Sequence, residues 1–260
     1  MHIPLQSNPK IIKQEKNSAV FEIEGCYPGY GVTLGNALRR ALLSSLSGAA
    51  ITGVKIKGIQ HEFSVLPNIK EDVISIILNL RQLRFKVHGE GPFKASLKVK
   101  GEKEVRASDF KLTSEIEIID KDILVATLTN KKAEIDIEIE ISTGLGYIPV
   151  EQRKKEKLEI GMIAVDAVYT PIVKTNFEVS HMRVGERTDY DRLLVYIETD
   201  GSVSPVEALT EASKILKEHF LIFDLGDQLE KAKNKTVSKK TAKKSATAKK
   251  KAKKGVKKKK

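Results

Sequence analysis

Gly29, Gly31 and Gly35 stand between an alternating apolar run and a helical one, where glycines can let a backbone close on the pyrophosphate of a dinucleotide. The spacing does not serve that chemistry. G-x-G-x-x-x-G sets the third glycine one residue late, and no parallel βαβ repeat follows it. The three glycines are therefore expected to form a turn, and Gly144 with Gly146, just before Tyr147 and Pro149, a hairpin or loop. The sequence contains neither a phosphate loop of the form G-x-x-x-x-G-K followed by Ser or Thr nor a G-x-S-x-G elbow. His2, His61, His88, His181 and His219 are scattered, without the H-E-x-x-H pair of a zinc protease. Runs of carboxylates alternate with isoleucines and so line wet strand faces. No catalytic residue, metal ligand or cofactor site is expected on this chain.

Arg39 and Arg40 lie on a helix whose other positions are Leu, Ala and Ser. They are either solvated helix charges or donors to the carboxylate or carbonyl groups of a partner, for which the guanidinium fork is suited. The helix is expected to start with Thr33 as its N-cap, with Leu34, Leu38 and Leu42 on one stripe. A second amphipathic helix follows Ser204-Pro205-Val206-Glu207, a capping box with Pro at the first helical position. It carries Leu209, Ala212, Ile215, Leu216, Phe220 and Phe223 and should end near Gly226. Each such Leu, Ile or Phe is worth about 1.5–3 kcal/mol when fully buried, and association costs about 4–15 kcal/mol. Two copies meeting through both helices could therefore offset that cost.

Between the helices the texture changes. Ile135, Ile137, Ile139 and Ile141 alternate with Glu134, Asp136, Glu138 and Glu140, and Ile116 and Ile118 with Glu115 and Glu117. This is the pattern of antiparallel sheet with one face buried and the other acidic and wet. Phe21–Ile23 and Leu193–Ile197 read as further strands, the latter closed by the turn pair Asp200-Gly201. One helix, about 71–83, turns Val73, Ile76, Ile77 and Leu80 inward. Many short strands and few helices make the chain α+β.

The chain has 260 residues and a formal charge of +12. That charge is local: residues 231–260 hold 16 lysines and no acid, leaving 30 Lys and Arg against 34 Asp and Glu elsewhere, about −4. A free-standing DNA-coating protein would need a basic folded surface, so that class is disfavoured. The tail is expected to be disordered, because its like charges repel and it has little apolar surface to bury. The lone Cys26 and the absence of a signal-peptide core or an apolar membrane run point to the cytoplasm.

Five runs carry a resemblance: GYGVTLGNALRRALLSSLSGAAITGVKIKGIQHEFS (Gly29–Ser64), KEDVISIILNLRQL (Lys70–Leu83), GLGYIPV (Gly144–Val150), VDAVYTPIV (Val165–Val173) and RVGERTDYDRLLVYIETDGSVSPVEAL (Arg183–Leu209). In order and spacing the chain resembles the bacterial RNA polymerase alpha-subunit family, N-terminal domain, over residues 10–228. The resemblance implies a discontinuous dimerisation subdomain (1–49 and 174–230), with two main helices on an antiparallel sheet and an inserted β-rich subdomain (50–173). It implies a homodimer formed through Leu34, Leu38, Leu42, Leu209, Ile215, Leu216, Phe220 and Phe223. It also implies large-subunit contacts at Arg40 and Arg81 and along Val165, Asp166 and Val173, with Arg39 beside them. One copy would hold the β subunit and the other β′, with catalysis and its magnesium on those large subunits. Family members continue into a small DNA-contacting helical domain. Here a lysine tail (231–260) stands instead; from its charge, not from the resemblance, residues such as Lys239, Lys240, Lys249, Lys250 and Lys251 are expected either to pair with DNA backbone phosphates without sequence preference or only to keep the chain in solution.

Overall fold

The computed structural model describes residues 3–59, 61–89, 91–153, 159 and 161–223. His2, the expected helix end at Gly226, and the tail 231–260 with Lys239, Lys240, Lys249, Lys250 and Lys251 lie outside the described residues. In chain order the elements are β1 (Lys10–Gln14), β2 (Ser18–Cys26), α1 (Tyr30–Ser44), β3 (Ser47–Ile56), α2 (Val73–Leu80) and β4 (Phe85–Val87). Then come β5 (Phe93–Lys100), β6 (Lys103–Arg106), β7 (Ile116–Ile118), β8 (Leu124–Leu128), β9 (Glu134–Leu145) and β10 (Tyr147–Ile148). The last are β11 (Ile163–Ala164), β12 (Ala167–Val168), β13 (Ile172–Val184), β14 (Arg187–Thr199) and α3 (Pro205–Leu221). Few helices and antiparallel strands make the α+β class a finding. Two compact units divide the chain at Ile215/Leu216, within α3.

In the first unit, one sheet has the order β1-β2-β14-β13, all antiparallel. Ala19 opposite Ile197 and Phe21 opposite Val195 join the N-terminal hairpin to one more than 160 residues later in the chain. A second sheet, β11-β3-β9-β5, consists of residues between those hairpins. Its isoleucines Ile135, Ile137, Ile139 and Ile141 are at most 1% exposed and share a core with Val54, Leu97 and Val165. Val73, Ile76, Ile77 and Leu80 of α2 fill the same core, as their spacing requires. Glu71 fastens α2 to β8 by accepting hydrogen bonds from Thr127 N (2.6 Å) and Thr127 Oγ1 (2.8 Å), and Asp72 caps the helix on Ser75 N (2.8 Å).

The wet face of β9 is not left acidic. β5 alternates Phe93, Ala95, Leu97 and Val99 toward the core with lysines outward. Those lysines meet the carboxylates of β9: Lys98 lies 3.1 Å from Asp136, Lys100 2.9 Å from Glu134 and Lys94 3.6 Å from Glu138. Opposite charges facing across the strands support this pairing, and the buried isoleucines exclude a one-residue slip, which would turn them to solvent.

α1 differs from its sequence reading at the start. It begins at Tyr30, with Gly29 at the N-cap in a left-handed conformation (φ 83°) and no capping side chain of its own. Thr33 lies inside the helix, its hydroxyl bonded back to Gly29 O at 3.2 Å. The cap comes instead from β14, where buried Asp191 accepts from Gly29 N at 2.9 Å and Gly31 N at 3.2 Å through Oδ2. Only Gly29 of the three glycines serves the turn. A Cβ on Gly31 would stand 2.9 Å from Asp191 Cβ and Val179 Cγ1, and one on Gly35 2.5 Å from the Phe177 ring. Both are contact points that bring α1 down onto β13 and β14. Gly146, by contrast, is a turn glycine (φ 64°), whereas Gly144 sits in β9 against the Tyr169 ring.

At the start of α3 the sequence reading holds, whereas the helix ends at Leu221 and leaves Phe223, expected on its stripe, beyond it. Ser204 N donates to Glu207 Oε2 (3.1 Å) and Glu207 N to Ser204 Oγ (3.2 Å), the reciprocal pair of a capping box. Ala208, Leu209 and Ala212 are buried, and Asp200-Gly201 makes the turn after β14.

Candidate functional site

α1 presents distinct faces. Leu38, Ala41 and Leu42, with the two contact glycines, turn inward; Leu42 is fully buried and Leu38 9% exposed. On the opposite side lie Val32, Asn36, Arg40 and Leu43, with Val32 55% and Leu43 45% exposed. Leu34 and Ala37 sit half-buried at the border. The expected dimer stripe therefore separates. Leu38, Leu42 and, on α3, Leu209 support the chain's own core, leaving Leu34 and Ile215 half-buried as the surface a second copy could reach on the first unit. In the second unit Leu216 is half-buried, while Phe220, Leu221, Ile222 and Phe223 are 65%, 57%, 70% and 77% exposed. Four consecutive exposed apolar residues are uncommon on a surface meant for water. Phe223 lies beyond the end of α3, its N–H bonded to Phe220 O at 3.0 Å.

The two arginines of α1 differ in use. The Arg39 guanidinium lies over the Phe177 ring, 5.6 Å from its centre, and reaches Asn36 Oδ1 at 3.4 Å. Arg40 is exposed, and its side chain has no hydrogen bond or ion pair among the described residues. Packing on β13 thus occupies Arg39 and leaves Arg40 to the surface.

A second group gathers residues far apart in sequence. Arg81, the C-cap of α2, holds Nη1 3.9 Å from Asp166 Oδ2, and the other Asp166 oxygen accepts from Val150 N at 3.0 Å. Tyr147 stands beside them, its phenol pushed up by partial desolvation and then by the Asp166 carboxylate. Val165 is buried in the core of the second sheet, and Val173, at the start of β13, is 62% exposed. The structure thus joins Arg81 to Asp166 and sets Val165 behind them. The proximity of Tyr147 leaves no mark in the sequence, because it depends on the pairing of β10 with β12.

Chemistry elsewhere is sparse. His61 contacts Ser64 Oγ at 3.0 Å in an exposed loop, with no carboxylate against its ring among the described residues. His181 lies 3.5 Å from the capping Asp191. Burial, then the Asp191 charge, pushes the Cys26 thiol up, away from the reactive thiolate. Among the described residues no group of three or more His, Cys, Asp or Glu could hold a metal ion, and no helix is long and apolar enough to cross a membrane.

Fold and surface together define an α+β chain whose terminal hairpins share one sheet, with a second sheet between them and part of its apolar surface uncovered. Residues 54–170 match the family model described as the RNA polymerase Rpb3/RpoA insert domain. The chain is 45% identical over 213 residues to the DNA-directed RNA polymerase subunit alpha of Symbiobacterium thermophilum, covering 82% of this chain and 67% of that one. Against the same subunit of a Roseiflexus species it is 45% identical over 210 residues (81% and 64%), and against that of Carboxydothermus hydrogenoformans 42% over 217 (83% and 69%). The chain belongs to the family of DNA-directed RNA polymerase alpha subunits. It spans about two thirds of the length of these curated relatives.

Proposed function

We propose that this chain is the assembly subunit of a bacterial RNA polymerase. Two copies associate, and the dimer nucleates docking of the large subunits, one copy holding β and the other β′. Residues 1–49 and 174–230 form the dimerisation subdomain and 50–173 the inserted one. The observation that carries the reading is the uncovered apolar run Phe220–Phe223 at the end of α3. In the same unit Leu216 is half-buried beside that run, and in the first unit Leu34 on α1 and Ile215 on α3 are half-buried apolar residues that the second copy covers in turn. Outward-facing Arg40, with Arg81, Asp166 and Val173, provides contacts for the large subunits, on which the magnesium and the nucleotidyl transfer reside. Residues 231–260 hold DNA backbone through lysine–phosphate pairs, without sequence preference. Such a protein works in the cytoplasm.

The test of the dimer is the Phe220→Ser, Phe223→Ser double variant. It should sediment as one chain where the wild type sediments as two, with its circular dichroism spectrum unchanged. A double variant that remains dimeric would remove this seam. For the tail, polymerases with and without residues 231–260 are compared for DNA affinity across a salt series. Each lost phosphate contact should flatten the slope of log affinity against log salt by about 0.9, and equal slopes would remove the DNA role.

A further inference from the structure

Arg84 stands between α2 and β4, and its side chain is held at two points. Nη1 donates to Arg81 O, the carbonyl at the C-cap of α2, at 3.1 Å, and Nε lies 3.5 Å from Asp200 Oδ2. Asp200 sits in the turn that joins β14 to α3. Asp200 N donates to Pro171 O at 3.0 Å, and Asp200 Oδ1 accepts from Ser202 N at 2.9 Å and Ser202 Oγ at 2.5 Å. The carboxylate is thus fixed through one oxygen and offers the other to Arg84.

The pair joins the two sheets. Leu80, Leu83 and Phe85, on either side of Arg84, belong to the core of the second sheet. Asp200 follows Thr199, the last residue of β14 in the first sheet, whose N–H is bonded to Asn17 O in the β1–β2 turn at 2.8 Å. Among the described residues Arg84–Asp200 is the one ion pair between residues 50–173 and the rest of the chain. The next residue, Gly201, presses on the same place: a Cβ there would stand 3.1 Å from Ile119 Cγ2, and Ile119 N donates to Arg84 O at 3.0 Å. The Asp200 side chain is 10% exposed, so water competes little for its free oxygen. A planar guanidinium bonded along one edge and paired along another cannot turn without giving up a partner.

Arg40 stands on α1, which packs on the first sheet, whereas Arg81 belongs with the second and lends its own carbonyl to the brace. Surfaces carried on two sheets bind a large rigid partner well only if their spacing is set beforehand, because ordering them on binding lowers affinity. We propose that Arg84 is a positioning residue for assembly. Braced on Asp200, it fixes the second sheet and the Arg81 end of α2 against the first sheet and the start of α3, so that each copy presents its contact surfaces at a preset spacing. The inference rests on the assembly role proposed above and adds to it the brace that holds the surfaces in place.

Full-length chain, as wild type and as Arg84→Ala, Arg84→Lys, Asp200→Asn and Ile139→Val, is titrated with purified β and β′ subunits, and its dimer mass is recorded by sedimentation. Each form is also spin-labelled at Lys131→Cys in the β8–β9 turn and Glu186→Cys in the β13–β14 turn, both exposed, and the label distance is measured in dimers with one labelled copy. Arg84→Ala and Asp200→Asn should each broaden a distance distribution that is narrow in the wild type. Each should also weaken at least one large subunit by roughly 3- to 30-fold with the dimer mass unchanged. The double variant should be no weaker than the weaker single, since both remove one brace. Arg84→Lys keeps the charge but cannot serve both partners, and should fall between wild type and Arg84→Ala. With Asp200→Asn it decides the matter if Arg84→Ala does not fold. Ile139→Val loosens the second core without touching the brace and should keep wild-type distance and affinity. A distribution unchanged by the variants or broad already in the wild type, or one broadened with wild-type affinity for both large subunits, would overturn the positioning role and leave the assembly role standing. Affinity lost in Ile139→Val as well would tie binding to stability alone and overturn it too. Wild-type chain that binds neither large subunit would overturn both.

Discussion

Replacing Asp191 by Ala removes the cap of a helix that starts 160 residues earlier in the chain. Asp191 Oδ2 accepts from Gly29 N at 2.9 Å and from Gly31 N at 3.2 Å, and the residue is 4% exposed. Loss of an N-cap costs about 0.5–2 kcal/mol. Leaving a buried N–H without an acceptor costs about 1–3 kcal/mol, and Gly31 N is the more enclosed of the two. Together Asp191→Ala should destabilise the fold by about 2–4 kcal/mol. Asp191→Asn keeps one acceptor oxygen and loses the charge that favours a helix N-terminus, an effect of about 0.3–1 kcal/mol. The ratio between the variants is thus the informative quantity. Urea unfolding by circular dichroism at one fixed protein concentration reads it, since the stability of a self-associating chain depends on concentration. At about 2–4 °C per kcal/mol for a chain of this size, Asp191→Ala should also lower Tm by roughly 5–15 °C. A loss under about 0.5 kcal/mol for Asp191→Ala, or equal losses for both variants, would refute the cap.

Other consequences follow from the same packing. Gly35→Ala should destabilise by about 1–3 kcal/mol through overpacking against Phe177, although Ala is the better helix former by about 1 kcal/mol; a variant as stable as the wild type in urea would mean α1 does not rest on that ring. Ile139→Ala, in the fully buried row of β9, should cost about 2–5 kcal/mol in the same measurement. Hydrogen bonds from the Ser75 side chain and N–H hold Asp72 below its ordinary 3.8, and those from the Ser204 side chain and N–H hold Glu207 below 4.5. Both folded values are depressed, so their contribution is present above about pH 5 and lost as pH falls through them. Replacing Asp72 and Glu207 by Asn and Gln should therefore flatten the fall in Tm between pH 5 and 3; an unchanged profile would assign that fall to other carboxylates.

Elements whose cause is local could be read from sequence. β9 declares itself through four isoleucines at period two, α2 through Val73, Ile76, Ile77 and Leu80, and α3 through the Ser204–Glu207 box. The start of α1 could not, because its acceptor sits on β14 and Gly29 itself offers no side chain. Thr33 has the right chemistry for a cap and the wrong neighbour. Gly31 and Gly35 carry the composition of a turn, yet their role is set by Asp191, Val179 and Phe177 pressing from β13 and β14. Amphipathic spacing marks Leu38, Leu42 and Leu209 as apolar but does not say what covers them, and here it is the chain's own core. Likewise Arg39 and Arg40 are equivalent on paper until Phe177 occupies one of them. The meeting of Arg81 with Asp166 and Tyr147 depends on long-range placement that no window of sequence contains.

The assembly role is tested most directly by co-purifying tagged chain with its large subunits while recording the mass of the chain alone. Wild type should sediment at twice the single-chain mass and retain both β and β′; Arg40→Ala should keep that mass and lose a large subunit. A wild-type chain that sediments singly and retains neither subunit would contradict the account.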